Sequence, residues 1–269
     1  MTTLEILALA ILPLFLLLDV LTPGATGTRG WRARAAAVTA CTFALSLLAG
    51  VACKALFAGA SLLPGDRLGT VGGALAGVLV YDLGHYWYHR CAHHFDALWR
   101  LGHQMHHSVE SLDPWGAYFL HPLDAAFFLT LSNVMLYPVL GLTPAAGAAA
   151  NAFLTFCAVF QHARMATPRW VGWLVQRPES HAVHHERGLH AFNYANLPLW
   201  DLVFGTLRNP PAGRPRPALG FYDGASARLA EMLAFRDVSR PRAEPAESPH
   251  GRHTVALQPA AEPPARLDA

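Results

Sequence analysis

Charged residues are scarce in this sequence. Asp, Glu, Lys and Arg make up 14% of its 269 residues, whereas 53% are hydrophobic. In soluble domains about a quarter of all residues are charged, so this composition favours a membrane protein. The formal net charge is only +2, and the sequence lacks the clustered basic face of a nucleic-acid-binding protein. We therefore expect no nucleic-acid partner.

Cysteine and several cofactor signatures are also missing or sparse. The four cysteines are scattered without a CxxC pair, so the sequence suggests neither a cysteine zinc site nor a disulfide framework. There is no HExxH zinc-protease motif, and no Glu-x-x-His pair like those of soluble di-iron bundles. The glycines of GTVGGALAG (69–77) form no nucleotide fingerprint, because they lie inside an apolar run. We interpret them as sites of close helix packing.

Long apolar runs are present, and five of them are candidates for membrane spans. No basic segment precedes the first run, so we expect a retained span and no cleaved signal peptide. The last run is rich in alanine and only weakly apolar. The sequence therefore predicts an all-α integral membrane bundle of four to five transmembrane helices. The five runs are residues 4–21, 35–60, 68–90, 125–142 and 145–161.

Basic residues predict the orientation of these spans. Arg29, Arg32 and Arg34 lie between the first two runs, which indicates a cytoplasmic loop. The short hairpin at 141–144 is uncharged, which suits the far side of the membrane. The third and fifth runs then both end on the cytoplasmic side. The abundant Ala, Gly and Arg favour a bacterial protein, so we expect an inner-membrane location.

Histidine is abundant, with thirteen of fifteen residues between positions 85 and 190. HQMHH (103–107) and HAVHH (181–185) each place three imidazoles at offsets i, i+3 and i+4, on one helix face. In DLGHYWYHR, His85 and His89 are four apart, with Asp82 one turn earlier. Together the three segments supply eight imidazoles, enough for four ligands on each of two metals. The eight candidate ligands are His85, His89, His103, His106, His107, His181, His184 and His185.

Carboxylates border the two triplets but do not interrupt them. Glu110 and Asp113 follow the first triplet, and Glu179 and Glu186 flank the second. We expect such carboxylates to hold imidazole N–H groups and so select the tautomer, since metal-binding histidines usually have partners of this kind. His190, His250 and His253 receive no role.

These segments resemble the fatty acid hydroxylase / sterol desaturase superfamily of membrane di-iron oxygenases, over about residues 78–207. The motifs that carry the resemblance are DLGHYWYHRCAHHFDALWRLGHQMHHS, LHPLD, FQHARM, HAVHHE and NYANLPLWDLVFGTL. The sequence has NYA where the family usually has NYG, and Asp124 in place of a glutamate. The resemblance implies that the eight histidines bind two iron ions, with no catalytic residue separate from the metal site. Possible extra ligands or outer partners are His93, His121, His162, Asp82, Asp113 and Asn193.

The resemblance also implies an activity and an organisation. A lipid would enter from the bilayer, and O₂ would hydroxylate or desaturate one of its C–H bonds in lipid biosynthesis or modification. An external reductase, ferredoxin or cytochrome would supply electrons. Zinc can occupy such a site in purified protein, because nitrogen ligands prefer it to ferrous iron. We predict an N-terminal transmembrane hairpin (1–67), a catalytic domain with a cytoplasmic histidine-rich helical cap (68–207) and a Pro-rich, partly disordered tail (208–269).

Two other functions compete with this interpretation. A histidine-rich metal transporter, or a metal-binding protein without oxygenase activity, would use the same residue type, but transporters favour polar groups at mid-membrane and repeated halves. A bis-histidine haem protein would need histidines facing one another from the middles of spans. Among enzyme substrates, fatty acids, sterols, carotenoids and ether lipids all remain open.

Overall fold

Helices form the regular structure of this chain. The computed structural model describes residues 3–22, 27–57, 59 and 61–242, and within these ranges it contains helices and no strand. An isolated antiparallel bridge joins Glu186 to Leu219. The predicted all-α class is confirmed.

Five helices make up the body and five short ones carry the connections. The long helices are α1 (Thr3–Leu21), α2 (Trp31–Leu56), α3 (Gly69–His94), α6 (Pro122–Val134) and α7 (Pro144–Phe160). The short ones are α4 (Asp96–Leu98), α5 (Gln104–His107), α8 (Pro178–His184), α9 (Pro198–Val203) and α10 (Leu229–Leu233). Wider π turns connect α4 to α5 at Trp99–His103 and extend α6 through Met135–Val139.

Proline marks the beginning of several of these helices. Pro122, Pro144, Pro178 and Pro198 each stand in the first helical turn, where the missing N–H costs no hydrogen bond. The Thr143 side chain caps α7 by accepting from the Ala146 amide. These signals explain why the helices start where they do after irregular loops.

The long helices pack in pairs: α1 and α3 both lie against α7, and α2 lies against α6. The contact of α3 with α7 depends on glycine. A Cβ at Gly73 would lie 2.9 Å from the Ala146 Cβ of α7. One at Gly77 would lie 3.3 Å from the Ala150 Cβ of α7 and 2.7 Å from the Leu136 side chain in the extension of α6. Our interpretation of GTVGGALAG as a close-packing surface is therefore confirmed at these two positions.

Among the described residues, two helices are long and apolar enough to cross a membrane: Trp31–Leu56 and the combined segment Pro122–Val139. They coincide with the predicted runs 35–60 and 125–142. Leu9–Leu21 and Pro144–Phe160 are shorter apolar helices. Helix α3 is long, but its second half carries aspartate and histidines, which lower its hydropathy. The number of membrane spans and their orientation stay predictions.

Asp19, at the end of α1, joins four parts of the fold. Its carboxylate is 4% exposed and accepts from Arg164 Nε at 2.6 Å and Trp115 Nε1 at 3.1 Å. Arg32 also donates to it at 3.2 Å. A buried charge needs such partners, because leaving water is costly. This cluster ties α1 to the start of α2 and to the loops beside the histidines.

The chain beyond residue 207 packs against the helices as far as it is described. Met232 and Val238 are fully buried together with Trp31, Met105 and Phe119. The Pro-rich composition of 208–269 had predicted a partly disordered tail. The average composition of this segment does not reveal its apolar residues before position 240, and the described structure continues to Arg242. Residues 243–269 lie outside the described ranges, and the three-domain division stays a prediction.

We expect Asp19→Asn to lower the free energy of unfolding by about 3 kcal/mol, because it removes the buried carboxylate charge that accepts from Arg164 and Arg32. Thermal unfolding of the detergent-solubilised protein, followed by tryptophan fluorescence, would measure it. Asp96→Asn is the matched control, since the Asp96–Arg100 pair is exposed and should change stability by about 0.5 kcal/mol or less. Equal effects of the two substitutions would contradict a structural role for the Asp19 cluster.

Candidate metal centre

Nine buried or half-buried histidines converge into two neighbouring groups. Within each group the candidate ligand nitrogens all lie within 4.8 Å of one another. We call them the five-histidine group and the four-histidine group. The first consists of His89, His93, His103, His107 and His184, and the second of His106, His162, His181 and His185.

Each HxxHH triplet contributes to both groups, and helix geometry explains the division. With 3.6 residues per turn, residues four apart differ by about 40° in direction, and residues three apart by about 60° the other way. His103 and His107 therefore point together into the five-histidine group, while His106 turns to the other one. In the second triplet His181 and His185 are the pair, in the four-histidine group, and His184 crosses to the first. Each triplet thus gives two histidines to one group and one histidine to the other.

The five-histidine group leaves every Nε2 atom buried without a hydrogen-bond partner. Acceptors lie on the Nδ1 side of these rings. They hold the proton on Nδ1, so that the lone pair remains on Nε2. The Nδ1 contacts are His89 to the Tyr194 carbonyl (2.6 Å), His184 to the Phe192 carbonyl (2.7 Å), His103 to the Asp124 carboxylate (3.0 Å) and His107 to His190 Nδ1 (3.0 Å). His93 hydrogen-bonds to the His190 carbonyl.

The four-histidine group brings Nε2 atoms directly together. His162 Nε2 lies 3.3 Å from His106 Nε2 and 3.2 Å from His181 Nε2, and His181 Nε2 lies 3.1 Å from His185 Nε2. Imidazole nitrogens that bind a tetrahedral metal at about 2.0–2.1 Å are about 3.3 Å from one another. The observed spacing therefore suits one shared metal ion.

The chemistry of both groups fits metal ions. Buried nitrogens without partners are costly, at about 1–3 kcal/mol each, and five of them meet at one point. Burial, followed by neighbouring imidazoles, lowers the pKa of His103, His107, His184 and His185 well below the ordinary value. The neutral ring that binds metal is therefore the favoured form. Neither group contains a carboxylate among the described residues.

His85 lies outside both groups. Its ring stacks on Phe128 at 4.8 Å, and its Nδ1 lies 3.3 Å from the Tyr81 hydroxyl. His89 is four residues from both His85 and His93, so spacing alone offers two pairs. In the structure His93 joins His89, as a possible extra ligand. His162 likewise joins a group, in line with its predicted possible role.

The other possible extra ligands stand apart from the nitrogens of both groups and hold the backbone. His121 Nδ1 accepts from the Leu123 amide at the start of α6. Asp82 accepts from the Asn196 and Leu197 amides at 2.9 Å. Asp113 accepts from the Gly116 amide at 3.2 Å and from the Trp31 side-chain Nε1 at 3.0 Å.

The carboxylates that border the triplets bind other partners. Glu110 accepts from the Gly224 and Ser226 amides, and Glu179 accepts from the Thr167 amide and hydroxyl. Glu186 lies 3.7 Å from Arg214. The carboxylate that does hold an imidazole is Asp124, which the sequence had singled out only as a departure from the family pattern.

A loop at 190–194 supplies partners to four of the five imidazoles in the five-histidine group. His190, Phe192 and Asn193 all have positive φ, at 42°, 69° and 51°. Such strain persists only where the surroundings hold it. Asn193 donates to the Ser180 and Arg208 carbonyls, and Asp201 accepts from the Tyr194 amide at 2.8 Å. Sequence reasoning missed His190 and Asp201, although Asp201 stands within the quoted NYANLPLWDLVFGTL motif.

Comparison with known proteins identifies the family. A family profile described as fatty acid hydroxylase matches residues 74–206, which include all nine grouped histidines. Through this segment the chain belongs to the fatty acid hydroxylase / sterol desaturase superfamily. No solved structure matches the chain.

Three relatives illustrate the range of the superfamily. An ornithine lipid hydroxylase of Rhizobium tropici is 31% identical over 139 residues, which are 50% of this chain and 41% of the relative. An alkylglycerol monooxygenase of Xenopus tropicalis is 32% identical, over 46% of this chain and 28% of the relative. A Delta(7)-sterol 5(6)-desaturase of Aspergillus fumigatus is 28% identical, over 61% and 56%. The match thus spans from about a quarter to just over half of these relatives.

We expect the purified protein to bind two cobalt(II) ions, used as a spectroscopic probe. Replacing the pair His103 and His107 by alanine should reduce this to one ion, and so should replacing His181 and His185, because each pair belongs to a different group. His85→Phe is the matched control, since it keeps the ring against Phe128, and it should retain two ions. Equilibrium dialysis with metal analysis gives the counts; loss of one ion in His85→Phe would restore the eight-ligand prediction.

Proposed function

We propose that this protein is a membrane-bound oxidoreductase that uses O₂ to hydroxylate or desaturate a C–H bond of a lipid. The observation that carries the proposal is the pair of all-histidine groups, with ligand nitrogens aimed at two common centres, in a chain of this superfamily. The relatives named above include two lipid oxygenases and one desaturase. Two apolar helices beside the groups support a membrane location.

Nine imidazoles would hold two iron ions, five around one and four around the other. Bound iron would supply the reductive activation of O₂, which protein side chains lack. The chain keeps each ring neutral by burial. It also holds the Nδ1 protons of the five-histidine group against fixed acceptors, so that these rings do not rotate or protonate at Nε2. His85 is outside this proposal, and His93 and His162 enter it.

The lipid would approach from the bilayer along α2. A mostly apolar cavity of about 180 Å³ lies between α2 and the segments around Met105 and Leu120, and Met105 is the residue next to His106. Val38 and Thr42 of α2 and Leu233 of α10 line it as well. We propose that it receives part of an acyl chain or a comparably apolar group, which excludes water from this side of the groups.

Electrons would come from a separate protein. The four cysteines are free and scattered, at positions 41, 53, 91 and 157, and cannot hold an iron–sulfur cluster together. A reductase, ferredoxin or cytochrome remains the proposed donor. The arginines between α1 and α2 favour the cytoplasmic side for the histidine groups, and a bacterial inner membrane for the protein as a whole.

We expect iron-loaded protein in lipid nanodiscs, supplied with a reductant and oxygen-18 gas, to modify one lipid class in a panel of ornithine lipids, alkylglycerols, sterols and fatty acids. Hydroxylation puts the label into the lipid, whereas desaturation removes two hydrogens and leaves the label in water. Mass spectrometry separates the two. The variant with alanine at His181 and His185 should form no product, and His85→Phe should remain active.

A metal transporter would give a different result. Iron-loaded protein would then leave the whole panel unmodified, and proteoliposomes would accumulate the metal. That combination would refute the oxygenase proposal and favour the competing function.

A further inference from the structure

His190 differs from the other partners of the five-histidine group. Three of the five imidazoles hydrogen-bond to backbone carbonyls, and one hydrogen-bonds to the Asp124 carboxylate. The fifth, His107, rests on the side chain of another histidine: its Nδ1 lies 3.0 Å from His190 Nδ1. An imidazole nitrogen, unlike a carbonyl oxygen, can either donate or accept. The surroundings of the two rings therefore decide which of them is the donor.

The geometry resolves the direction of this hydrogen bond. His107 Nε2 is buried without a partner and faces the other four Nε2 atoms, so it must offer its lone pair if a metal binds there. The neutral ring then carries its proton on Nδ1. His107 Nδ1–H therefore donates, and His190 Nδ1 accepts with its lone pair. His190 in turn carries its own proton on Nε2.

The local backbone holds His190 in this place. Its φ of 42° lies in the left-handed region, where residues other than glycine are uncommon and histidine is among those that occur more often. The ring packs against Phe221 at 5.2 Å and Trp99 at 5.8 Å, between centroids. This conformation and these ring contacts hold Nδ1 of His190 against the candidate ligand His107.

We propose that His190 is a positioning residue for metal binding at the five-histidine group, acting as the hydrogen-bond acceptor that fixes the tautomer and ring orientation of His107. This inference rests on the proposed metal centre and adds to it a residue outside the predicted ligand set. Loss of a comparable partner weakens metal binding by about 10–100-fold. The four-histidine group has no contact with His190 among its hydrogen bonds and serves as an internal reference.

Three substitutions distinguish the effect of the acceptor atom of His190 from the effect of its backbone conformation. His190→Gly accepts positive φ but removes the acceptor. His190→Asn also tolerates positive φ and places an amide oxygen at the δ position, where Nδ1 stood. His190→Asp does the same with a charged and stronger acceptor. All three replacements tolerate the positive φ, so differences among them report the acceptor.

Cobalt(II) titration of the detergent-solubilised full chain, followed by visible absorption and equilibrium dialysis, provides the measurement. We expect the Gly variant to bind one ion as the wild type does and the second about 10–100-fold more weakly. The Asn variant should stay close to the wild type, and the Asp variant should bind at least as tightly. The absorption of the ion in the five-histidine group should shift in the Gly variant alone.

Wild-type affinity in the Gly variant would overturn the inference, and so would equal weakening in the Gly and Asn variants, since a merely structural role does not depend on the acceptor. A wild-type protein that binds no cobalt at all would overturn the metal centre and this inference together. The variants could follow the expected order of affinities while iron-loaded wild type oxidises no lipid. That result would leave the inference standing and refute only the proposed function.

Discussion

The structure depends on burying nine imidazoles side by side while keeping one nitrogen of each ring available. A buried imidazole is stable when its N–H has an acceptor, and it binds metal only when the opposite nitrogen has a free lone pair. Both conditions are met most clearly in the five-histidine group, where every Nε2 is unpartnered. Outer partners are therefore as much a part of this centre as the rings, because they decide which nitrogen faces inward.

This requirement explains how the irregular part of the chain is built. Three residues with positive φ between positions 190 and 193 bring the carbonyls of His190, Phe192 and Tyr194 to the rings they serve. Such a loop is unfavourable by itself. Asp82, Asn193 and Asp201 use their hydrogen-bonding groups to hold this segment and its neighbours. The packed segment that follows residue 207 covers the same region, with Phe221 against the His190 ring.

Membership of the fatty acid hydroxylase / sterol desaturase superfamily and the geometry of the histidines support each other, because they are independent observations. The family profile covers a segment, and the geometry shows that this segment folds into two groups of nitrogen ligands. Neither the family membership nor the geometry identifies which lipid is the substrate. The apolar cavity beside Met105 and the membrane-length helix α2 are the features on which our proposal of an apolar substrate rests.

The sequence by itself determined the helical class, the two membrane-length helices and the family. It also named seven of the nine grouped histidines as candidate ligands, with His93 and His162 as possible additions. It could do so because helical periodicity and apolar length are local properties. Tertiary structure alone decided that His93 rather than His85 joins His89, that each triplet divides between two groups, and that His190 supports His107. Residues four apart on either side of His89 are equivalent along one helix, and only the packing of other helices and of the 190–194 loop makes them different.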